Sequence, residues 1–373
     1  MLNHFLLLNR SLRARFEART AWLGDTQPVV GVAGGTRSEM VLALLLAVVT
    51  TYIAHYFFEP RLSVGEALYS EEVFRAQYYS GIFAYRVLGR ELVLLLNRNL
   101  FAGSNLYASR AVLNLAALLC FNVVYLQLLR RFRVAPRDRL SSVFMVDALT
   151  LMSLSVNSNP YTVLSLALIY GAIYCAETGR PAGVLVTLVL GTLAHDANVL
   201  ILVYWMLQTL FGRYDSRPEA RRRLAWTGAL TAGWLLTYGL LRVLVPRAEA
   251  SLFWQWITGA TSGVSIKAVL VSAAFLFAHS FAGPRANFTA GAFVVVVFIG
   301  TLYGIFFTRD ALVRARAWPH VPVFLLLVVP YYLWLSLVAL LVEVRLFLPF
   351  FPCLVMIGRI GASDESRVPD VAR

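Results

Sequence analysis

The sequence predicts an all-α fold, a polytopic transmembrane bundle of roughly ten to twelve membrane helices with amphipathic helices in its first external loop. Three observations carry that expectation. Hydrophobic residues make up 59% of the 373-residue chain and charged residues only 14%, and the mean hydropathy is +0.69, a balance foreign to water-soluble domains. The apolar residues form long unbroken runs rather than the alternating or helically spaced stripes of elements facing a soluble core. Only helices and closed barrels satisfy every backbone group in lipid, and runs this long exclude a barrel.

The third observation is where the charge lies. A formal net charge of +13 would point a soluble protein toward nucleic acid, but the arginines cluster between apolar runs. Arg10, Arg13, Arg15 and Arg19 precede the first run, Arg130, Arg131, Arg133, Arg137 and Arg139 follow the second, and Arg213, Arg217, Arg221, Arg222 and Arg223 come later. These clusters read as cytoplasmic anchors under the positive-inside rule, so no nucleic-acid partner is implied. Cys120, Cys175 and Cys353 match no metal motif and imply no disulfide framework.

Residues 1–38 read as a basic cytoplasmic N-terminal arm, 39–360 as the transmembrane domain and 361–373 as a polar C-terminal tail. The FLLL run near the N-terminus is too short for a signal-peptide core. Met40–Phe58 is the first span. The polar stretch Glu59–Arg110, with the external loop at 59–108, holds an amphipathic segment at 82–96, and Ser109–Leu129 returns the chain to the basic side. Ser141–Val156 and Tyr161–Cys175 form a hairpin around Asn157, Ser158, Asn159 and Pro160, residues that mark a turn. A second hairpin, Ala182–Ala194 and Val199–Phe211, is interrupted by His195, Asp196, Ala197 and Asn198. Alternation puts that corner on the same outer side as the Glu59–Arg110 stretch. Later runs are Leu224–Val245, Ala268–Ala282, Phe288–Phe307, Val321–Leu341 and Leu346–Ile357. Simple alternation there would put Arg309, Arg314 and Arg316 outside, against the positive-inside rule.

Three constellations could carry chemistry. Glu66, Glu71 and Glu72 follow the first span. A carboxylate at a membrane surface can serve as general base or hold a cation near a phosphate, and the competing reading is a solvated acidic loop. Arg75, Arg86 and Arg90 come next, planar guanidiniums suited to phosphate or to snorkelling toward headgroups. His195, Asp196 and Asn198 form the second group, costly among apolar runs without a partner or water. A helix continuing through them would put residues 195 and 198 on one face. Asp147 belongs to the same category. The third group is Glu343 and Arg345, followed by Pro349 and Pro352, prolines that should break or kink the last run where backbone lines a cavity.

Taken together, these residues resemble the GT-C superfamily of polytopic glycosyltransferases, and within it uncharacterised bacterial members. Phe83, Tyr85, Arg86 and Leu88 match an F-x-Y-R-x-L segment after the first loop, and Glu343, Arg345, Pro349 and Pro352 match a terminal E-x-R-x-x-x-P-x-x-P element. The middle corner reads His-Asp-Ala-Asn where those relatives often carry Asn-Arg-Glu-Thr. The acidic loop lacks the common Asp-x-Asp or Asp-Glu form, with Glu71 and Glu72 the nearest substitutes.

The resemblance implies a bacterial inner-membrane enzyme with a cytoplasmic N-terminus, acting in cell-envelope or surface polysaccharide synthesis. It would transfer a sugar from a polyprenyl-phosphate or polyprenyl-diphosphate donor to a glycan or lipid acceptor on the outer face. A loop glutamate (Glu71, Glu72 or Glu66) would be the base. Arg75, Tyr85, Arg86, His195, Asp196, Asn198, Glu343 and Arg345 would line the substrate site. A divalent cation is compatible with this chemistry and not demanded by the sequence. The alternatives are a polysaccharide polymerase, a membrane-bound acyltransferase using His195, and a lipid-linked sugar transporter or flippase, for which no internal repeat is visible.

Overall fold

The computed structural model describes residues 2–20, 37–58, 71–78, 86–132, 134–156, 161–212, 216–245, 323, 326–328, 331 and 348–359. About 90% of it is helical, with no strand, which makes the described protein all-α. The helices are α1 (Leu2–Thr20), α2 (Arg37–Ile53, continued by a π turn over Ala54–Phe58), α3 (Glu71–Tyr78), α4 (Val87–Leu100) and α5 (Leu106–Arg131). They are followed by α6 (Pro136–Val156), α7 (Thr162–Glu177), α8 (Pro181–Ala194), α9 (Val199–Phe211), α10 (Arg217–Leu244) and α11 (Phe351–Arg359).

Among the described residues, three stretches are long and apolar enough to cross a membrane: Arg37–Tyr56, Leu106–Arg131 and Arg217–Leu244. The shorter apolar helices α7, α8 and α9 accompany them. In α2 the side chains are sorted opposite to a soluble helix. Glu39, Ala43, Ala47, Thr50 and Thr51 are buried at helical spacing, whereas Val41, Leu42, Leu45, Val48, Val49 and Tyr52 are exposed. Small and polar residues inside with large apolar residues outside is the arrangement a lipid surround favours, because hydrocarbon gives helices no reason to hide leucine from it. Close approach follows from the small residues: the Asn122 amide of α5 donates to the Ala43 carbonyl at 2.9 Å and to Asp147 Oδ2 of α6 at 2.8 Å.

Ion pairs tie one end of the bundle together. Glu39 at the start of α2 accepts from Arg130 in the last turn of α5 at 3.0 Å and lies 3.5 Å from Arg139 in the first turn of α6. Arg131 donates to the Glu177 carbonyl at the end of α7. Asp138 of α6 pairs with Arg359 at the end of α11 at 3.0 Å. Asn9 of α1 donates to the Leu210 and Gly212 carbonyls at the end of α9. Helices α2, α5, α6, α7, α8 and α9 therefore alternate in direction, and the arginine clusters of the sequence gather at one end.

The core between them is aromatic. Phe121 stacks on Tyr125 at 5.3 Å, and the Tyr170 ring meets both edge-on at 5.3 and 5.8 Å. Tyr125 donates to the Pro352 carbonyl at 2.9 Å, and the Tyr170 hydroxyl accepts from the Cys353 amide at 2.9 Å, which fastens α11 into the bundle.

Several sequence expectations change. The external loop, drawn to residue 108, ends earlier, because Leu106 already begins α5: the Asn105 side chain caps it by accepting from the Ala108 amide at 2.9 Å, as an N-cap does. The last run is broken rather than kinked: residues 348–350 form a turn, and Pro352 occupies the first turn of α11, where a missing N–H costs nothing; its neighbours from Cys353 to Ile357 are buried core rather than cavity lining. The amphipathic segment expected at 82–96 is α4, and α3 supplies a second helix in that stretch. The tail 361–373 and the runs Ala268–Ala282 and Phe288–Phe307 lie outside the described residues.

Candidate functional site

The end of the bundle opposite the arginine clusters collects several of the residues singled out in the sequence. Helix α4 begins at Val87 with Arg86 as its N-cap, and the Arg86 guanidinium lies 4.4 Å above the Tyr161 ring that opens α7. On the other side Tyr161 meets the His195 ring at 5.4 Å. An Arg–aromatic–His arrangement thus joins residues that are far apart in the chain, with the guanidinium and the imidazole on one buried tyrosine ring.

The His195 corner interrupts two helices, as the sequence suggested, and no helix continues through it to put residues 195 and 198 on one face. Helix α8 stops at Ala194 because His195 is extended, at φ −164° and ψ 140°, and Asp196–Asn198 form a single 3₁₀ turn. The turn accounts for its own polar groups. His195 Nδ1 accepts from the Ala197 amide at 3.0 Å, and the Asn198 amide donates to the His195 carbonyl at 3.0 Å and to Ser165 Oγ at 2.7 Å. With Nδ1 accepting, a neutral His195 ring carries its proton on Nε2 and presents a donor. Asn198 is fully buried, and its Oδ1 has no hydrogen-bond partner among the described residues. Gly191 makes this possible: a Cβ there would lie 2.8 Å from Asn198 Cβ and Cγ.

A layer of apolar packing connects this corner to the acidic helix. Phe74 of α3, Val93 and Leu94 of α4, Leu106 and Leu113 of α5 and Tyr161 form one buried cluster. On α3, Glu71 accepts from Arg75 Nε at 2.9 Å and lies 3.5 Å from Arg98 of α4. The Arg75 hydrogen bond holds the Glu71 carboxyl below its ordinary range, with the Arg75 and Arg98 charges adding to the effect. Glu72 on the same helix is exposed. Arg90 is buried and lies 3.1 Å from Glu91. Glu66, Tyr85, Glu343 and Arg345 lie outside the described residues, and Asp196 is described only as part of its turn.

The structure adds a group that sequence reasoning missed. The π turn at the end of α2 presents His55, whose Nε2 accepts from the Asn114 amide at 3.2 Å, with the Tyr107 ring edge-on at 5.7 Å. Arg110, one turn before Asn114 on α5, is buried with them. The signal was available: His55, Arg110 and Asn114 are polar residues in or bordering apolar runs, the same cue used for His195. Their pairing across 59 residues is what no local pattern contains. Among the described residues no cluster of three or more His, Cys, Asp or Glu could hold a metal ion.

No protein-family model, curated protein or solved structure matches this chain.

Proposed function

We propose that the chain is a polytopic membrane glycosyltransferase of the GT-C kind, with its arginine-rich end in the cytoplasm and the Arg86–Tyr161–His195 stack facing outward. It takes its sugar from a polyprenyl-phosphate-linked donor and passes it to a glycan or lipid acceptor. The observation that carries this reading is the gathering of Arg86, Tyr161 and the His195 corner at the end where α3 and α4 also pack. A lipid-phosphate leaving group needs a fixed cation and a neutral hydrogen-bond donor close together, and that end supplies both.

In this scheme a loop carboxylate removes the acceptor hydroxyl proton as the oxygen attacks the anomeric carbon. The bond from that carbon to the phosphate oxygen breaks, and the developing phosphate charge is met by Arg86 and by His195 Nε2–H. Glu72 suits the base better than Glu71, since a carboxylate held by Arg75 and Arg98 is the weaker proton acceptor. Arg345, through the terminal motif that resembles the family's, would meet the same phosphate.

The test is transfer of radiolabelled sugar from polyprenyl-phosphate donors by the purified full-length protein in lipid nanodiscs. Glu72→Gln should lower the rate by a factor of about 10² to 10⁴ while the protein inserts normally, and Glu71→Gln should have a smaller effect. If the unmodified protein transfers nothing but moves a lipid-linked sugar between leaflets, the transporter reading replaces this one.

A further inference from the structure

A second site lies at the opposite, arginine-rich end. Where α5 and α7 end, α8 begins, and α9 gives way to α10, the bundle encloses a cavity of about 570 Å³, within the span of small-molecule sites, about 300–1,000 Å³. Its charged wall is Arg131, Arg222 and Arg223 together with Glu177 and Glu219, and Trp205 and Trp226 supply the apolar side.

The wall is a constructed network. The Arg223 guanidinium lies 3.3 Å over the Trp205 ring and donates to Gln208 Oε1 at 2.8 Å and Thr209 Oγ1 at 3.2 Å. Trp205 in turn donates to Thr227 Oγ1 at 3.0 Å. Of the two carboxylates that could repel an anion, Glu177 is engaged by Tyr204 at 2.6 Å and by Gln208, and Glu219 is exposed to solvent in the first turn of α10. Arg222 is exposed on the rim and makes no ion pair among the described residues. The side chains just beyond it along α10 are apolar, from Leu224 onward.

The cavity therefore straddles a charged rim and an apolar floor, and a soluble anion would use only the rim. We propose that it binds the phosphodiester headgroup of an anionic glycerophospholipid, with Arg222 and Arg223 on the phosphate and Trp226 against the glycerol and upper acyl chain. Basic pockets between membrane helices on a cytoplasmic face take anionic headgroups in this way, and tryptophan favours that depth. The site is independent of the sugar-transfer reading, since it lies at the other end of the bundle and uses none of the same residues.

Native mass spectrometry of the full-length protein, equilibrated with equal amounts of phosphatidylglycerol and phosphatidylcholine, tests it. A single phosphatidylglycerol should be retained in preference to phosphatidylcholine. Arg222→Ala should weaken retention about fivefold, the effect of one surface arginine, and Arg222→Glu more, with thermal melting unchanged in both. Arg131→Gln, at a second point of the rim, should act in the same direction. Equal retention of the two lipids, or variants that retain as the parent does, would overturn the proposal. So would displacement of the lipid by an equal concentration of inorganic phosphate, which would make the ligand a free anion.

Discussion

The two ends of the bundle hold their charges differently. At the arginine-rich end, carboxylates and guanidiniums meet each other: Glu39 sits between Arg130 and Arg139, and Asp138 faces Arg359. At the other end Arg86 lies over an aromatic face, and His55, Asn114 and Asn198 are buried there together with the guanidiniums of Arg90 and Arg110. A cation closed onto a carboxylate is committed to holding helices together. One laid on a ring is held by the face of that ring. The first end joins helices through ion pairs beside its cavity, and the second gathers aromatic, imidazole and amide groups beside a guanidinium.

The sharpest way to break that contrast is to remove a charge from the arginine-rich end. Glu39 is almost completely buried and faces two arginines, so Glu39→Gln leaves guanidinium charge uncompensated and should destabilise the protein by about 3–5 kcal/mol. Thermal unfolding in detergent reads it, and a change within error would mean that water already solvates that end.

Next in size is a change at the His195 corner. Gly191→Ala places a methyl 2.8 Å from Asn198 Cβ, which no side-chain rotation relieves, so α8 and the 3₁₀ turn must separate. A cost of about 1–3 kcal/mol is expected. The same substitution should reduce sugar transfer by tilting His195, which tells a rigid corner from a pliable one.

The smallest effect is on α3. Because the Glu71 carboxyl is held below its ordinary value of 4.5, its pairing with Arg75 contributes stability that is fully present above that value. That contribution is lost as the pH falls through the depressed one. Arg75→Gln should therefore abolish an acid-side loosening of α3, seen as hydrogen exchange of its amides below the ordinary value, and leave neutral pH almost unaffected.

Much of the helix plan was legible. The run Val199–Phe211 is α9 residue for residue, and Ala182–Ala194 is α8 less its opening Pro181, because apolar length and turn residues are local signals. The corner at His195–Asn198 was legible for the same reason, as polar residues interrupting two apolar runs. Leu106–Ala108 was given to the loop, which was drawn to residue 108; the capping Asn105 was the cue to the earlier start. What the sequence withheld was pairing. In a helix apolar on every side, which face turns inward is set by small and polar residues such as Ala43 and Asn122 and by their partners on distant helices. The meetings of Arg86 with Tyr161 and of His55 with Asn114 depend on that packing.

The most direct test sets one residue from each end side by side. Arg86→Ala and Glu39→Gln would be compared in nanodiscs for melting temperature and for sugar transferred per folded molecule. Arg86→Ala should lose about 10²-fold or more in transfer with little change in melting, and Arg86→Lys should recover part of it. Glu39→Gln should melt earlier yet transfer normally per folded molecule. Loss of melting temperature without loss of transfer in Arg86→Ala, or unchanged transfer in both variants, would contradict the assignment of chemistry to the Arg86 end.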